Sequence, residues 1–390
     1  MILKKIMKAK SIKGTSTEEI NSALEDSLSD NFKPTLAIAF ISIKQNRKAI
    51  CEILSEQRID ILGATSCGEF IDGNQDEGSA VILLLDISKE YYSILFKDIG
   101  EGDLNKAAAD LAKAALNKFK KPALILCTTA VSVAGEMFNG ESVVRNIKNV
   151  VGPHVKLYGG MAGDDGTFTG TYVFTNGKET DKGVAILVLD EDKISLHGMA
   201  ISGWKSIGIT RTVTKSDGPW ILTIDDQPAL ELYVRYLGKD SALAKNKYGI
   251  LEETGVYYPF QVENTVDPMM RTPLEFDTAR NAIKLDFEIP EGTKFKFSVP
   301  PDFDIVGNVL DKATELKNNA GTGAEALLIF SCAGRLNALG PMTKSENDGL
   351  SEIWNAPMAG FFTYGEYGMT EDGRQEFCST TNSWVALKEK

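Results

Sequence analysis

Histidine is nearly missing from this chain: among 390 residues only His154 and His197 carry an imidazole. Metal centres built from several histidines therefore lack ligands. Cysteine is scarce too. Cys51, Cys67, Cys127, Cys332 and Cys378 are odd in number and widely scattered, with no Cys-x-x-Cys pair and no zinc spacing. That usage suggests reduced thiols in a cytoplasm. No apolar run approaches the ~18 residues of a membrane span; the densest, Ala80-Val81-Ile82-Leu83-Leu84-Leu85, is strand-sized. Bases are outnumbered, 42 against 54 acids, for a net charge of -12. A nucleic-acid groove needs a basic footprint, so neither nucleic acid nor membrane is expected as a partner. The lysines at the start (Lys4, Lys5, Lys8, Lys10, Lys13) read as a solvated strand face. No apolar stretch follows them, as a targeting peptide requires. Walker A, His-Glu-x-x-His and Gly-x-Ser-x-Gly motifs are all absent. Gly321-Thr322-Gly323-Ala324-Glu325-Ala326 spells a dinucleotide fingerprint but precedes a strand, where the real motif follows one.

What is present is a phrase written almost three times. Apolar residues run into Gly63-Ala64-Thr65-Ser66-Cys67-Gly68-Glu69 and into Gly360-Phe361-Phe362-Thr363-Tyr364-Gly365-Glu366. A shorter version, Gly159-Gly160-Met161-Ala162-Gly163-Asp164, lies between them. Each predicts a strand that ends in glycine and a carboxylate, and ligand groups often sit at strand ends.

A chain this long predicts two or more domains. Residues 34–43 form an apolar run of buried-strand type, 47–55 have helical spacing, and strands follow into Cys67, over 80–86 and over 92–98. A helix is predicted from about Asp103, with Leu104, Ala108, Leu111 and Ala115 on one face. The order then repeats: 122–127 answers the first strand, 141–150 the helix, 184–190 the strand 80–86, and 194–196 the strand 92–94. The fold class expected is α/β (α+β): a duplicated β-α-β-β-β N-terminal domain over 34–203, preceded by a strand and helix over 1–33. A related mixed α/β domain follows over 204–390. This last part opens on hairpin strands, 208–215 and 220–224, then a helix from Asp225 or Asp226 that stops at Gly238. The β-α-β-β theme returns near 326–330, 350–354, 360–366 and 376–387. The first copy and the second are expected to be related by a pseudo-twofold.

Several stretches together resemble the FIST family of sensory proteins. They are 63–69, 159–165, Thr214-Lys215-Ser216-Asp217-Gly218 with 225–230, Ser331-Cys332-Ala333-Gly334-Arg335, 360–368 and Thr380-Thr381-Asn382-Ser383. The resemblance implies an N-terminal and a C-terminal FIST domain forming an intracellular, non-enzymatic module. Such a module binds a small ligand, an amino acid or similar metabolite, and reports to a signalling partner. No output domain accompanies the match, so a separate kinase, cyclase or chemotaxis-type protein is the expected partner. Some relatives are described as haem proteins sensing nitric oxide, so a gas sensor is the alternative reading. No cofactor is expected, since two lone histidines offer few axial ligands.

Arg335 is the leading contact, because a planar guanidinium grips a carboxylate bidentately. Its alternative is an internal pair with Glu366 or Asp164. Glu366 could accept from a ligand ammonium, and Glu69 and the Asp164-Asp165 pair could do the same or merely satisfy turn amides. Thr65, Ser66, Thr363, Tyr364 and Gly163 share these strand ends. Cys67 and Cys332 end apolar strands and read as small buried hydrophobes. A Cys-dependent enzyme, with Cys332 as nucleophile and Glu366 as acid/base, is the second alternative. The expected site is a cleft formed by 332–335 and 363–366, completed by 65–69 or Asp164.

Overall fold

The computed structural model describes residues 6–237, 254–263, 269–299 and 302–390. The helix stop expected at Gly238 and the lysines Lys4 and Lys5 lie outside the described residues.

Leu36–Ser42, Pro122–Thr128 and Ala326–Cys332 are strands buried along their whole length. Such continuous apolar runs arise where both faces of a sheet are covered. The alternation of side chains shows by what. Leu36, Ile38 and Phe40, Ile125 and Cys127, and Leu328 and Phe330 all enter one shared core. The intervening Ala37, Ala39 and Ile41, Leu124 and Leu126, and Leu327 and Ile329 pack in three separate outer clusters that include helix residues. Three sheets thus face one another across a common interior whose centre holds Phe40, Phe330 and Phe361, with Phe40 stacked on Phe361 at 4.3 Å.

Each sheet has six strands in the same order. The first runs Lys8–Gly14, Ala80–Asp86, Leu36–Ser42, Asp60–Ser66, Val173–Thr175, Lys178–Thr180. The second runs Tyr92–Asp98, Gly183–Asp190, Pro122–Thr128, Leu157–Met161, Glu366–Met369, Gln375–Cys378. In the third the order is Ile194–Ile201, Asn382–Glu389, Ala326–Cys332, Met358–Thr363, Glu69–Ile71, Asn74–Asp76. The third and fourth strands of every sheet are the parallel pair. The last two are a hairpin borrowed from a neighbour. The first unit gives its hairpin to the third, the third to the second, and the second to the first, so the exchange closes after three.

The expected duplication is therefore present, and a third copy joins it. Ala80–Asp86 and Gly183–Asp190 are equivalent, as predicted, and Asn382–Glu389 is their counterpart. Two corrections follow. The relation is threefold, not twofold, because the C-terminal β-α-β-β theme completes the same ring. Tyr92–Asp98 and Ile194–Ile201 do not close the preceding copies; each pairs at the edge of the next sheet, as Lys8–Gly14 does in the first. A short connection after 80–86 or 184–190 could serve either purpose, and only pairing distinguishes them.

Helices cover the outer faces. Leu104–Lys118, capped by Asp103, and Gly140–Val151, capped by Asn139, flank the second sheet. Thr17–Leu28 and Arg47–Glu56 flank the first, and Asp304–Ala320 and Met342–Trp354 the third. Between Ile194–Ile201 and Asp304–Ala320 the third unit carries an insert with its own antiparallel sheet. That sheet contains the expected hairpin, Ser206–Asp217 with Trp220–Ile224, and has a separate core around Tyr233, Phe260, Phe295 and Phe297.

The repeated glycines mark where the borrowed hairpins cross. Gly63 pairs with Phe174, Gly159 with Tyr367 and Gly360 with Phe70. A Cβ on Gly360 would enter the Phe70 ring and sit 2.5 Å from the Ile329 carbonyl oxygen. Gly360→Ala is therefore expected to cost about 1–3 kcal/mol as an overpacked core. Urea unfolding should read this as a lower midpoint with unchanged slope. Tolerance of alanine would mean the aromatic does not cover the glycine.

Candidate functional site

The carboxyl ends of the three parallel strand pairs converge. Main-chain hydrogen bonds hold them there: Cys67 N to Phe362 O at 2.9 Å, Met161 N to Gly365 O at 2.8 Å, and Gly163 N to Thr65 O at 2.8 Å. Ligands in α/β proteins bind outside such strand ends, where connections diverge. Here the insert lies over them, and between the two parts is a cavity of about 580 Å³. The strand-end side supplies Cys67, Val131, Met161, Asp165, Cys332, Thr363 and Tyr364; the insert supplies Val256, Thr272, Leu274 and 284–288.

Of the residues expected from sequence, Cys67, Cys332, Thr363 and Tyr364 line this cavity. The others stand behind its wall. Arg335 is fully buried and forks onto Glu346, with Nε 2.8 Å from Oε2 and Nη2 2.5 Å from Oε1. Its Nη1 donates to the carbonyls of Ser202 at 2.6 Å and Thr380 at 3.1 Å. A guanidinium has five N–H donors, and four are engaged inside the protein. Arg335 therefore pairs with neither Glu366 nor Asp164, because Glu346 on the next helix takes the fork.

Glu69 and Glu366 occupy equivalent places and do the same work. Glu69 accepts from Ser66 Oγ, and from the Ser79 amide and hydroxyl at 2.8 and 2.9 Å. Glu366 accepts from Thr363 Oγ1 at 2.5 Å, and from the Thr381 amide and hydroxyl at 3.2 and 2.7 Å. Each carboxyl ties a strand end to the start of its unit's closing strand, at the point where the hairpin leaves. Burial pushes Glu69 up to about 7 and Glu366 up to about 8.

Asp164 is not the counterpart of Glu69; Val173 stands in that position, since it precedes the ring-pairing Phe174. The second unit runs on through a longer loop before its hairpin, and Asp164 closes that loop. It accepts from the amides of Phe168, Thr169 and Gly170 at 3.0, 2.6 and 3.0 Å, and from the Tyr364 hydroxyl. Tyr364 in turn stacks on Phe168, ring centres 4.6 Å apart. Thr65 Oγ1 accepts from the Tyr172 amide at 2.9 Å, and a Cβ on Gly163 would meet Cys67 N at 2.8 Å.

Both thiols in the wall are held protonated. Burial pushes Cys67 up to about 12, and burial with the nearby Glu366 charge raises Cys332 further. A thiolate nucleophile needs the opposite shift. His154 and His197 do not line the cavity, and no group of three or more metal-ligating side chains occurs among the described residues.

Two acids of the cavity wall stand out besides these. Asp165, next to Asp164, stands at φ 54° with its side chain 6% exposed; its Oδ2 accepts from Ser42 Oγ at 2.7 Å and pairs with Lys44 at 3.2 Å. Its Oδ1 is buried without a partner. Asp286, in the insert, likewise has a buried, unpartnered Oδ1, and burial pushes its carboxyl up to about 6 despite Arg271 nearby. The first belongs to the Asp164-Asp165 pair already marked by the sequence. Nothing local marks Asp286, which reaches the cavity only through the insert's placement.

Comparison with protein families matches the FIST N domain over residues 35–227 and the FIST C domain over 229–369. The two matches meet inside the insert, at the start of its Ala229–Tyr236 helix. No match was found among curated proteins.

Proposed function

The chain belongs to the FIST family, whose domains are sensory domains of signalling proteins, and from that premise we propose that its cavity is the sensory site. The ligand is a small metabolite in the class of amino acids and related amines. The module performs no reaction of its own and reports to a separate signalling protein of kinase, cyclase or chemotaxis type. Its place is the cytoplasm; no helix among the described residues is long and apolar enough to cross a membrane.

One observation carries this reading. A cavity of about 580 Å³ lies where strand ends of all three units meet the insert. That volume lies within the range of small-molecule sites. A ligand there touches two bodies that are otherwise joined by few polar contacts, among them Arg271–Glu141 at 2.9 Å and Thr272–Ser379 at 3.2 Å. Binding would bias the insert's position only through such differential contacts, which is what a sensor requires.

Thermal-shift screening of the full chain against amino acids and other small metabolites tests it. A ligand at 100-fold its dissociation constant adds about 2.7 kcal/mol. Leu336→Trp, which pushes an indole into the cavity from its wall, is expected to abolish the shift. A ligand that stabilises Leu336→Trp as well as the parent binds elsewhere, and the reading then fails.

A further inference from the structure

The charges in the cavity wall are lopsided. Lys284 is the one Lys or Arg among the described lining residues, and it is bonded to Glu275 at 2.8 Å. Four acids stand in the same wall, Glu77, Asp165, Asp286 and Glu288. Two of them, Asp165 and Asp286, have a buried oxygen for which the protein supplies no donor. A buried acceptor left unmet costs the full desolvation of that group, so such atoms are uncommon unless something else satisfies them. The two carboxyls come from different parts of the fold, one from the second unit's loop and one from the insert.

An ammonium has three donors and no acceptor, which is the complement these oxygens lack. The carboxyl torsion of Asp is soft, so a small rotation turns an oxygen toward a ligand. Aromatic residues add to the preference for a cation, since Phe138, Phe168, Phe287 and Tyr364 line the cavity and ring faces attract positive charge. The remaining lining, with Val131, Leu274 and Leu285, suits methylene groups. A zwitterion would bring a carboxylate, and for that the wall offers only Lys284, already paired.

Resting on the reading of this cavity as the sensory site, we infer that it takes an aliphatic diamine, with one ammonium at Asp165 and the other at Asp286. Two acids held in one partly apolar cavity select for the number of charges on an aliphatic chain. A monoamine satisfies one carboxyl and leaves the other as it is in the unliganded protein.

The test is calorimetric titration and thermal shift of the full chain with 1,4-diaminobutane, 1,5-diaminopentane and 1,6-diaminohexane. Butylamine, pentylamine, alanine and succinate are the comparators. At least one diamine is expected to bind tenfold or more tighter than the monoamine of its length. Asp165→Asn and Asp286→Asn should each remove that preference. If monoamines bind as well as diamines, if alanine or succinate is preferred, or if both Asn variants still select diamines, the two-ammonium assignment is overturned. The cavity reading survives those results so long as Leu336→Trp abolishes binding. If no probe of any charge binds, or if binding persists in Leu336→Trp, both inferences fall.

Discussion

Replacing Arg335 with leucine is expected to destabilise the protein by about 3–5 kcal/mol, because it leaves the Glu346 carboxylate buried with no counter-charge. Both side chains are fully buried, and their bidentate contact is supplemented by Asn382, which donates to Glu346 Oε2 at 2.8 Å. The pair sits where three pieces of the third unit meet. Arg335 belongs to the helix after Ala326–Cys332, Glu346 to the next helix, and the carbonyls of Ser202 and Thr380 to the segments entering the insert and the closing strand. Lysine should not rescue the site, since a single ammonium cannot fork to both carboxylate oxygens and reach two carbonyls. The double variant Arg335→Leu, Glu346→Leu should recover much of the loss, because removing both charges also removes the unpaired one. Equilibrium denaturation of the two single variants and the double one measures this. A loss below about 1 kcal/mol for Arg335→Leu would be the behaviour of an exposed pair, and the interior role assigned here would be wrong.

The second large effect is on pH. Glu366 stands at about 8 and Glu69 at about 7, against a reference of 4.5 for each, and burial is the first cause in both. A carboxyl whose folded-state value lies above its unfolded one takes up a proton on folding. The folded protein then binds more protons than the unfolded chain between the two values, so stability falls as pH rises across that window. Maximum stability from these two groups is present below about 4.5 and declines until Glu366 is fully ionised above about 8. At ~1.36 kcal/mol per pH unit the Glu366 contribution is on the order of 5 kcal/mol. Glu366→Gln keeps the shape and an acceptor for Thr381 but cannot ionise. It is expected to flatten the decline and to be more stable than the parent at pH 8.5, with little difference near pH 5. Melting temperatures across pH 4.5–9 check this. A parent that gains stability with rising pH would show that the hydroxyls and amides around Glu366 outweigh its desolvation.

The reach of the sequence can be traced through the same residues. Composition and apolar runs identified the strands, because segments buried on both faces must be continuously apolar. The glycine–carboxylate phrases located the ends that matter, because at Gly63 and Gly360 a neighbouring hairpin lays an aromatic ring where a Cβ would stand, and at Gly159 a Cβ would strike the Leu126 carbonyl. Cys67, Thr363 and Tyr364 were legible as cavity residues from those phrases, and Cys332 from the end of its own apolar strand. The family resemblance followed from the same phrases together with 214–218, 225–230, 331–335 and 380–383. Tertiary structure decided the rest. Which sheet a strand joins depends on hydrogen-bonded neighbours far away in the chain, so the threefold exchange of hairpins is invisible in local pattern. The partner of Arg335 was equally undetermined, because Glu346 looks like any acid on a helix until two helices fold against each other. Asp286 stands among alternating apolar residues of the insert and acquires its meaning only when the insert comes down over the strand ends. Local physics specifies which residues are buried and where backbones turn; which charges end up facing one another is settled only by the closure of the ring.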